Sequence, residues 1–176
     1  VFQKQGYTTS YVSGQRLGWR NMNNFLKEQG FDRVEGDVDL QEKVSRVPQG
    51  TWGIHDEALF ERILQILLTA QTPQLVYGMS ISHHPPYDTP QNEWLTTMRV
   101  PDSVWQKVDM PEEVARKSFA AFRYQTDHLG KFLKEVYNSS LAENTIVVFT
   151  GDHTLKQNMK NCDDPLTLYG VPIVFF

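Results

Sequence analysis

Chemistry-bearing residues gather in a few short stretches of this sequence. Gly151-Asp152-His153 sets a carboxylate beside an imidazole. Both groups ligate divalent cations, and Gly151 permits the sharp turn that would bring adjacent side chains onto one ion. The plainer reading is that Asp152 caps a following helix and His153 is merely exposed. Ser82-His83-His84-Pro85-Pro86-Tyr87 puts two imidazoles ahead of a proline-stiffened turn. They could meet a metal, a phosphate or a sulfate, or simply decorate a solvated loop. In Trp52-Gly53-Ile54-His55-Asp56, just before a helical pattern, Asp56 reads as an N-cap and Trp52 as a packing residue. His128, inside a helical stretch, reads as structural. Cys162 sits in Lys160-Asn161-Cys162-Asp163-Asp164 with no base near it in sequence and receives no role.

These stretches need elements to hold them. Residues 7–12 are β-branched and aromatic, and read as a strand broken by Ser13-Gly14. Trp19, Met22, Phe25 and Leu26 recur at helical spacing, with Gly30 where the helix would stop. Residues 31–50 look polar and irregular, with room for one short helix near Leu40. Leu59, Phe60, Ile63, Leu64, Ile66 and Leu67 mark an amphipathic helix from Asp56 to about Ala70, ended by Pro73. The run 75–81 is nearly all apolar, as in a strand buried on both faces. Residues 83–111 hold five of the nine prolines and read as a long loop. Pro111 then opens the longest helix, with Glu112 and Glu113 in its first turn. Residues 145–150 and 171–176 read as two further buried strands. Strands alternating with helices predict an α/β fold with a mostly parallel sheet flanked by helices. Function in such sheets collects at the C-terminal ends of strands. Ser13-Gly14, Ser82-His83-His84 and Gly151-Asp152-His153 all fall there.

Bulk properties exclude several classes. The 176 residues are 40% hydrophobic and 22% charged, with a formal net charge of -4. That balance suits one globular domain, residues 1–176, and argues against nucleic acid, whose phosphates call for a basic face. No apolar stretch approaches the roughly 20 residues that cross a bilayer as a helix. The single cysteine allows no internal disulfide and no cysteine-rich zinc site. The chain opens on Val1-Phe2-Gln3 without a signal peptide, and it lacks an initiator Met, so a longer parent is expected.

Taken together, the motifs resemble the alkaline phosphatase/sulfatase superfamily, in particular the lipoteichoic acid synthase type of phosphoglycerol transferase. Gly6-Tyr7-Thr8-Thr9 and the stretch from Trp19 to Phe31-Asp32 are similar to that branch's first strand and helix end. Trp52-Gly53-Ile54-His55-Asp56-Glu57-Ala58-Leu59-Phe60 is similar to its W-G-[IL]-x-D-x-x-[LF]-F helix start. Ser82 to Tyr87 resembles its S-[NH]-H-x-P-[YF] segment, and Phe122-Arg123-Tyr124-Gln125-Thr126-Asp127 its R-Y-x-D helix. Thr150-Gly151-Asp152-His153 resembles its G-D-H metal motif, and Val171-Pro172-Ile173 a late strand. Each motif is weak alone; their common order carries the resemblance.

The resemblance implies roles. Asp152 and His153 would ligate a divalent ion: Mn, Mg or Zn, or Ca in a sulfatase. His84 would be the catalytic contact to the phosphate or the leaving oxygen, the H-x-P-Y spacing favouring it over His83. His83, His84, Trp19 and Arg20 would bind substrate. The family places a Trp-x-Arg after the first strand where Trp19-Arg20-Asn21 stands here, and a histidine or glycine where Ser13 stands. The substrate would be a lipid- or glycan-linked phosphate or sulfate ester. The domain would face outward from a bacterial membrane, tethered by N-terminal helices absent from this chain. The family's nucleophile, a Thr, a Ser or a formylglycine, lies upstream of every motif found here. The fold is thus expected to be truncated at its N-terminus, and residues 1–176 inactive by themselves. A sulfatase acting on sulfate esters is the nearer alternative, and a non-catalytic α/β binding module the more distant one.

Overall fold

The computed structural model describes residues 1–90, 93–154, 160 and 164–176. Cys162 lies outside them. The first strand, β1 (Thr8–Ser13), is followed by a 3-10 turn (Trp19–Asn21), helix α1 (Met22–Glu28), β2 (Arg33–Glu35) and α2 (Asp37–Lys43). A short hairpin, β3 (Gln49–Gly50) and β4 (Gly53–Ile54), leads into α3 (Asp56–Leu68) and β5 (Gln74–Met79). Two short helices, α4 (Glu93–Thr97) and α5 (Asp102–Trp105), precede the long α6 (Glu112–Tyr137). The chain then runs through β6 (Val148–Thr150), α7 (Pro165–Tyr169) and β7 (Ile173–Phe175).

β1, β2 and β5 form a parallel sheet in the order β2-β1-β5. Ser10 pairs with Arg33 on one side of β1, and Thr8 to Ser13 pair with Gln74 to Met79 on the other. The central strand carries the buried Tyr11 and Val12. α3 lays Ala58, Leu59, Ile63 and Ile66 into the core. It comes close enough to β5 that a Cβ at Gly78 would stand 2.6 Å from the Ile63 Cδ1, so the absent side chain sets the helix–sheet distance. α6 packs on α3 through a stripe that includes Leu129, Phe132 and Val136, with the Phe60 and Phe132 rings stacked at 5.5 Å.

The α/β architecture with a parallel sheet and flanking helices agrees with the sequence reading, but several details differ. Residues 31–50 hold two strands as well as a helix, because Arg33–Glu35 and Gln49–Gly50 are only three and two residues long and leave no apolar run to read. The long loop at 83–111 is interrupted by α4 and α5. β5 is half-covered rather than buried on both faces, with Tyr77 52% exposed. β6 and β7 pair antiparallel with each other, Val148 opposite Phe175 and Thr150 opposite Ile173, and are not part of the three-stranded sheet. Neither is buried as expected: Phe149 leans on the core while β7 is exposed along its length. An apolar run states that a strand seeks cover, not which element supplies it.

Candidate active site at the C-terminal ends of the parallel strands

The rim is built on close backbone contacts. Ser13 Oγ donates to the Met79 carbonyl at 2.9 Å and ties the ends of β1 and β5 together. The Ile54 N–H donates to the Gly14 carbonyl at 2.9 Å. Any Cβ at Gly14 would collide with the Ile54 carbonyl oxygen, so glycine is required there. The 51–56 segment is thereby pressed against the end of β1, facing the loop that leaves β5.

Asp56 is not the N-cap that the sequence suggested. His55 occupies that place, and Asp56 is the first helical residue. The Asp56 carboxylate is fully buried and turns to the neighbouring loop instead. It accepts from the Ile81 N–H at 2.8 Å, from the Ser82 N–H at 3.3 Å and from Gln125 Nε2 at 3.2 Å. Burial pushes its pKa up, against the pull of these hydrogen bonds. Ser82 Oγ in turn accepts the Asp56 N–H at 3.0 Å and lies 3.2 Å from His55 Nδ1. Farther along the loop, the Thr51 N–H and hydroxyl each donate to Asp88 Oδ2 at 2.7 Å. Burial alone would raise the Asp88 pKa, but these bonds outweigh it and hold the carboxyl low. Trp52 Nε1–H donates to the Pro85 carbonyl at 2.6 Å.

The two loop histidines part company. His83 turns inward: its Nε2 lies 3.1 Å from Ser118 Oγ on α6, and its ring packs between Tyr87 and Phe122. Burial pushes its pKa down. His84 is exposed, its Nδ1 2.8 Å from the Pro85 carbonyl and its ring edge-on to Trp52 at 4.7 Å.

Trp19 and Arg20 stand on the 3-10 turn beyond β1, both exposed, with the guanidinium 4.7 Å above the indole ring. Arg20 and Asn21 both adopt left-handed backbone, φ 48° and 59°, which swings the chain into α1. Asp152 and His153 follow β6. Their side chains are 78% and 68% exposed, with Asp152 Oδ2 3.5 Å from His153 Nε2. His153 Nδ1 lies 3.1 Å from the Thr154 carbonyl. A carbonyl can only accept, so this contact calls for a proton on Nδ1; in the neutral ring that leaves the Nε2 lone pair and the carboxylate, both electron-rich, side by side, an arrangement that a shared cation would relieve. The two residues therefore fit a divalent cation as part of a donor set. Among the described residues, no group of three or more His, Cys, Asp or Glu side chains completes one. Nor does any hydrogen bond or ring contact among the described residues join Asp152 or His153 to His84, Trp19 or Arg20.

Thr51, Asp88 and Gln125 support this rim and were missed in the sequence. No spacing rule pairs residues so far apart in the chain, and threonine, aspartate and glutamine carry no periodic signal of their own.

The family model described as Sulfatase matches residues 1–174. Lipoteichoic acid synthase 1 of Bacillus subtilis (strain 168) is 22% identical over 154 residues, covering 86% of this chain and 22% of its own length. Phosphoglycerol transferase I of Citrobacter koseri is 22% identical over 163 residues, 90% of this chain and 20% of its own length. The chain thus spans about a fifth of the length of the curated relatives it matches. The crystal structure of the lipoteichoic acid synthase LtaP from Listeria monocytogenes superposes with a TM-score of 0.77 at 20% identity, covering 99% of this chain and 44% of that one.

Proposed function

This chain belongs to the sulfatase family, and from that premise we propose that it is part of a metal-dependent phosphotransferase of the phosphoglycerol transferase type, acting on a lipid- or glycan-linked phosphate ester. The observation that carries the reading is an exposed imidazole, His84, with its Nδ1 held against the Pro85 carbonyl, on the C-terminal rim of the parallel sheet of a family member whose relatives are named for phosphoglycerol transfer and lipoteichoic acid synthesis.

His84 is the catalytic contact. The Pro85 carbonyl holds its Nδ1–H, so Nε2 is the nitrogen free to meet a phosphate oxygen. With Nε2 protonated, His84 steadies the developing negative charge or hands its proton to the leaving oxygen. Arg20, stacked on Trp19, offers paired N–H donors to the phosphate of the head group. His83, held on Ser118, shapes the loop from below. Asp152 and His153 hold the divalent ion: Mn, Mg or Zn. When bound, that ion neutralises charge on the transferring group and lowers the pKa of the attacking hydroxyl. The nucleophile and the remaining metal ligands are assigned to parts of the protein outside residues 1–176. The same reading places the domain on the outer face of a bacterial membrane, tethered by N-terminal helices outside these residues. Among the described residues no helix is long and apolar enough to cross a membrane.

The test uses the full-length protein, assayed in parallel for diacylglycerol released from phosphatidylglycerol, the product left whether the glycerol phosphate passes to an acceptor hydroxyl or to water, and for sulfate released from an aryl sulfate. Diacylglycerol release is expected. Asp152→Asn should lower it by more than about 100-fold, since loss of an inner ligand exceeds the cost of losing an outer-shell partner. Full turnover in Asp152→Asn would remove the metal assignment. Sulfate release alone would move the chain to the sulfate-ester branch of its family, and neither product would favour a binding module.

A further inference from the structure

The 51–56 segment has no part in the reaction as proposed, yet it grips the His84 loop along its length. Asp56 and His55 hold the start at Ser82, Thr51 holds the end at Asp88, and Trp52 meets the middle. Trp52 is unusual among these anchors. It is 43% exposed, more than a tryptophan kept for packing would need to be. It touches the loop through its indole N–H and its ring edge. The Pro85 carbonyl that accepts the indole N–H at 2.6 Å also lies 2.8 Å from His84 Nδ1. A carbonyl oxygen has two lone pairs and no proton, so both contacts require donors. The indole nitrogen is always one. The imidazole is one only with its proton on Nδ1, which leaves Nε2 bare in the neutral ring. The Trp52 and His84 ring centroids are 4.7 Å apart with planes at 69°, an edge-to-face packing that also limits rotation of the imidazole.

We propose that Trp52 is a positioning residue for His84: by clamping the Pro85 carbonyl and abutting the imidazole, it holds Nδ1–H inward and turns Nε2 toward the substrate. The inference rests on the reading of His84 as the substrate contact, but its test does not depend on turnover.

The test is nitrogen-15 NMR of the His84 ring in this chain, with two changes at position 52. Trp52→Phe removes the N–H and shrinks the ring. Replacement of Trp52 by benzothienylalanine keeps the bicyclic shape and removes only the donor. Both should fold, since the side chain is half exposed, and amide dispersion reports it. In the unmodified chain the Nδ1–H tautomer of His84 should dominate. In both variants the Pro85 carbonyl is no longer clamped, so His84 loses its fixed acceptor and the ratio of Nδ1–H to Nε2–H should fall by about fivefold, the scale of that Nδ1–H bond. The other histidines should keep their ring shifts. An unchanged His84 tautomer in the benzothienyl variant overturns the inference, whatever Trp52→Phe does. In the full-length protein, His84→Ala tests the catalytic reading separately. Retained turnover there removes His84 from the reaction without touching the tautomer result.

Discussion

The side chains around the His84 loop divide into those that face solvent and those that hold them up, and burial separates the two. Asp56 is the clearest of the supports. It has no exposed surface, and its oxygens take up the N–H groups of Ile81 and Ser82 and the amide of Gln125. A buried N–H without an acceptor costs roughly 1–3 kcal/mol. Asp56→Ala should therefore destabilise the chain by about 3 kcal/mol or more, seen as a Tm lower by roughly 6–12 °C in calorimetry. A Tm within a degree or two of the parent would mean that the loop finds other acceptors. His84, by contrast, stands in the open with one nitrogen fixed and the other free. A rigid base below and an exposed ring above suit the role proposed for His84.

Between elements, one ion-pair cluster joins three of them. Glu35 ends β2 and is 3% exposed. Its carboxylate meets Arg62 of α3 at 2.6 and 2.9 Å and Lys43 of α2 at 2.9 Å. Burial alone would raise its pKa, but Arg62 and Lys43 together hold it below the usual glutamate value. The short β2 has only three paired positions on β1. Its hold on the sheet depends on this end contact as much as on the ladder. Glu35→Ala leaves Arg62 partly buried without its partner and should cost about 3 kcal/mol, the lower end for breaking such a pair. The urea midpoint measures it; a shift below half that size would show the cations re-solvating freely. At the other end of the chain, β6 and β7 show how little a strand's own residues say about its cover. Val148 is 48% exposed and Phe175 66% exposed, although both belong to continuous apolar runs.

Across the whole molecule, two imidazoles, His55 and His128, are buried and a third, His83, is partly so. Burial pushes the pKa of His55, His83 and His128 below the ordinary value, with Lys131 adding to the effect at His128. The folded chain thus keeps neutral imidazoles that the unfolded chain protonates at about 6.5. Below that value the unfolded state binds more protons, so stability is present above it and is lost as pH falls. The Tm should decline from pH 7 toward pH 5. His83→Gln, which keeps a group able to reach Ser118, should flatten that decline. An equal slope in the variant would mean that His83 titrates normally in the fold. Glu35 adds an acid loss of its own in a lower window: its folded pKa is depressed, so its contribution fades only as pH drops below about 4.5.

What the sequence determined by itself is the local and ordered part. Alternating strand and helix patterns announced an α/β layer with a parallel sheet, because periodicity is written into consecutive residues. The order of the Trp52–Phe60, Ser82–Tyr87 and Thr150–His153 motifs pointed to the family that the comparisons show. Tertiary structure decided everything that depends on residues far apart in the chain. It took Asp56 from a helix cap to a buried acceptor for another loop, and turned His83 onto α6 while leaving His84 exposed. It also gave Trp52 a hydrogen bond to Pro85, and paired β6 with β7 rather than with the main sheet. A side chain's partner is chosen by packing and solvent exclusion in three dimensions, and residues 30 or 70 positions apart leave no trace of that choice in their spacing.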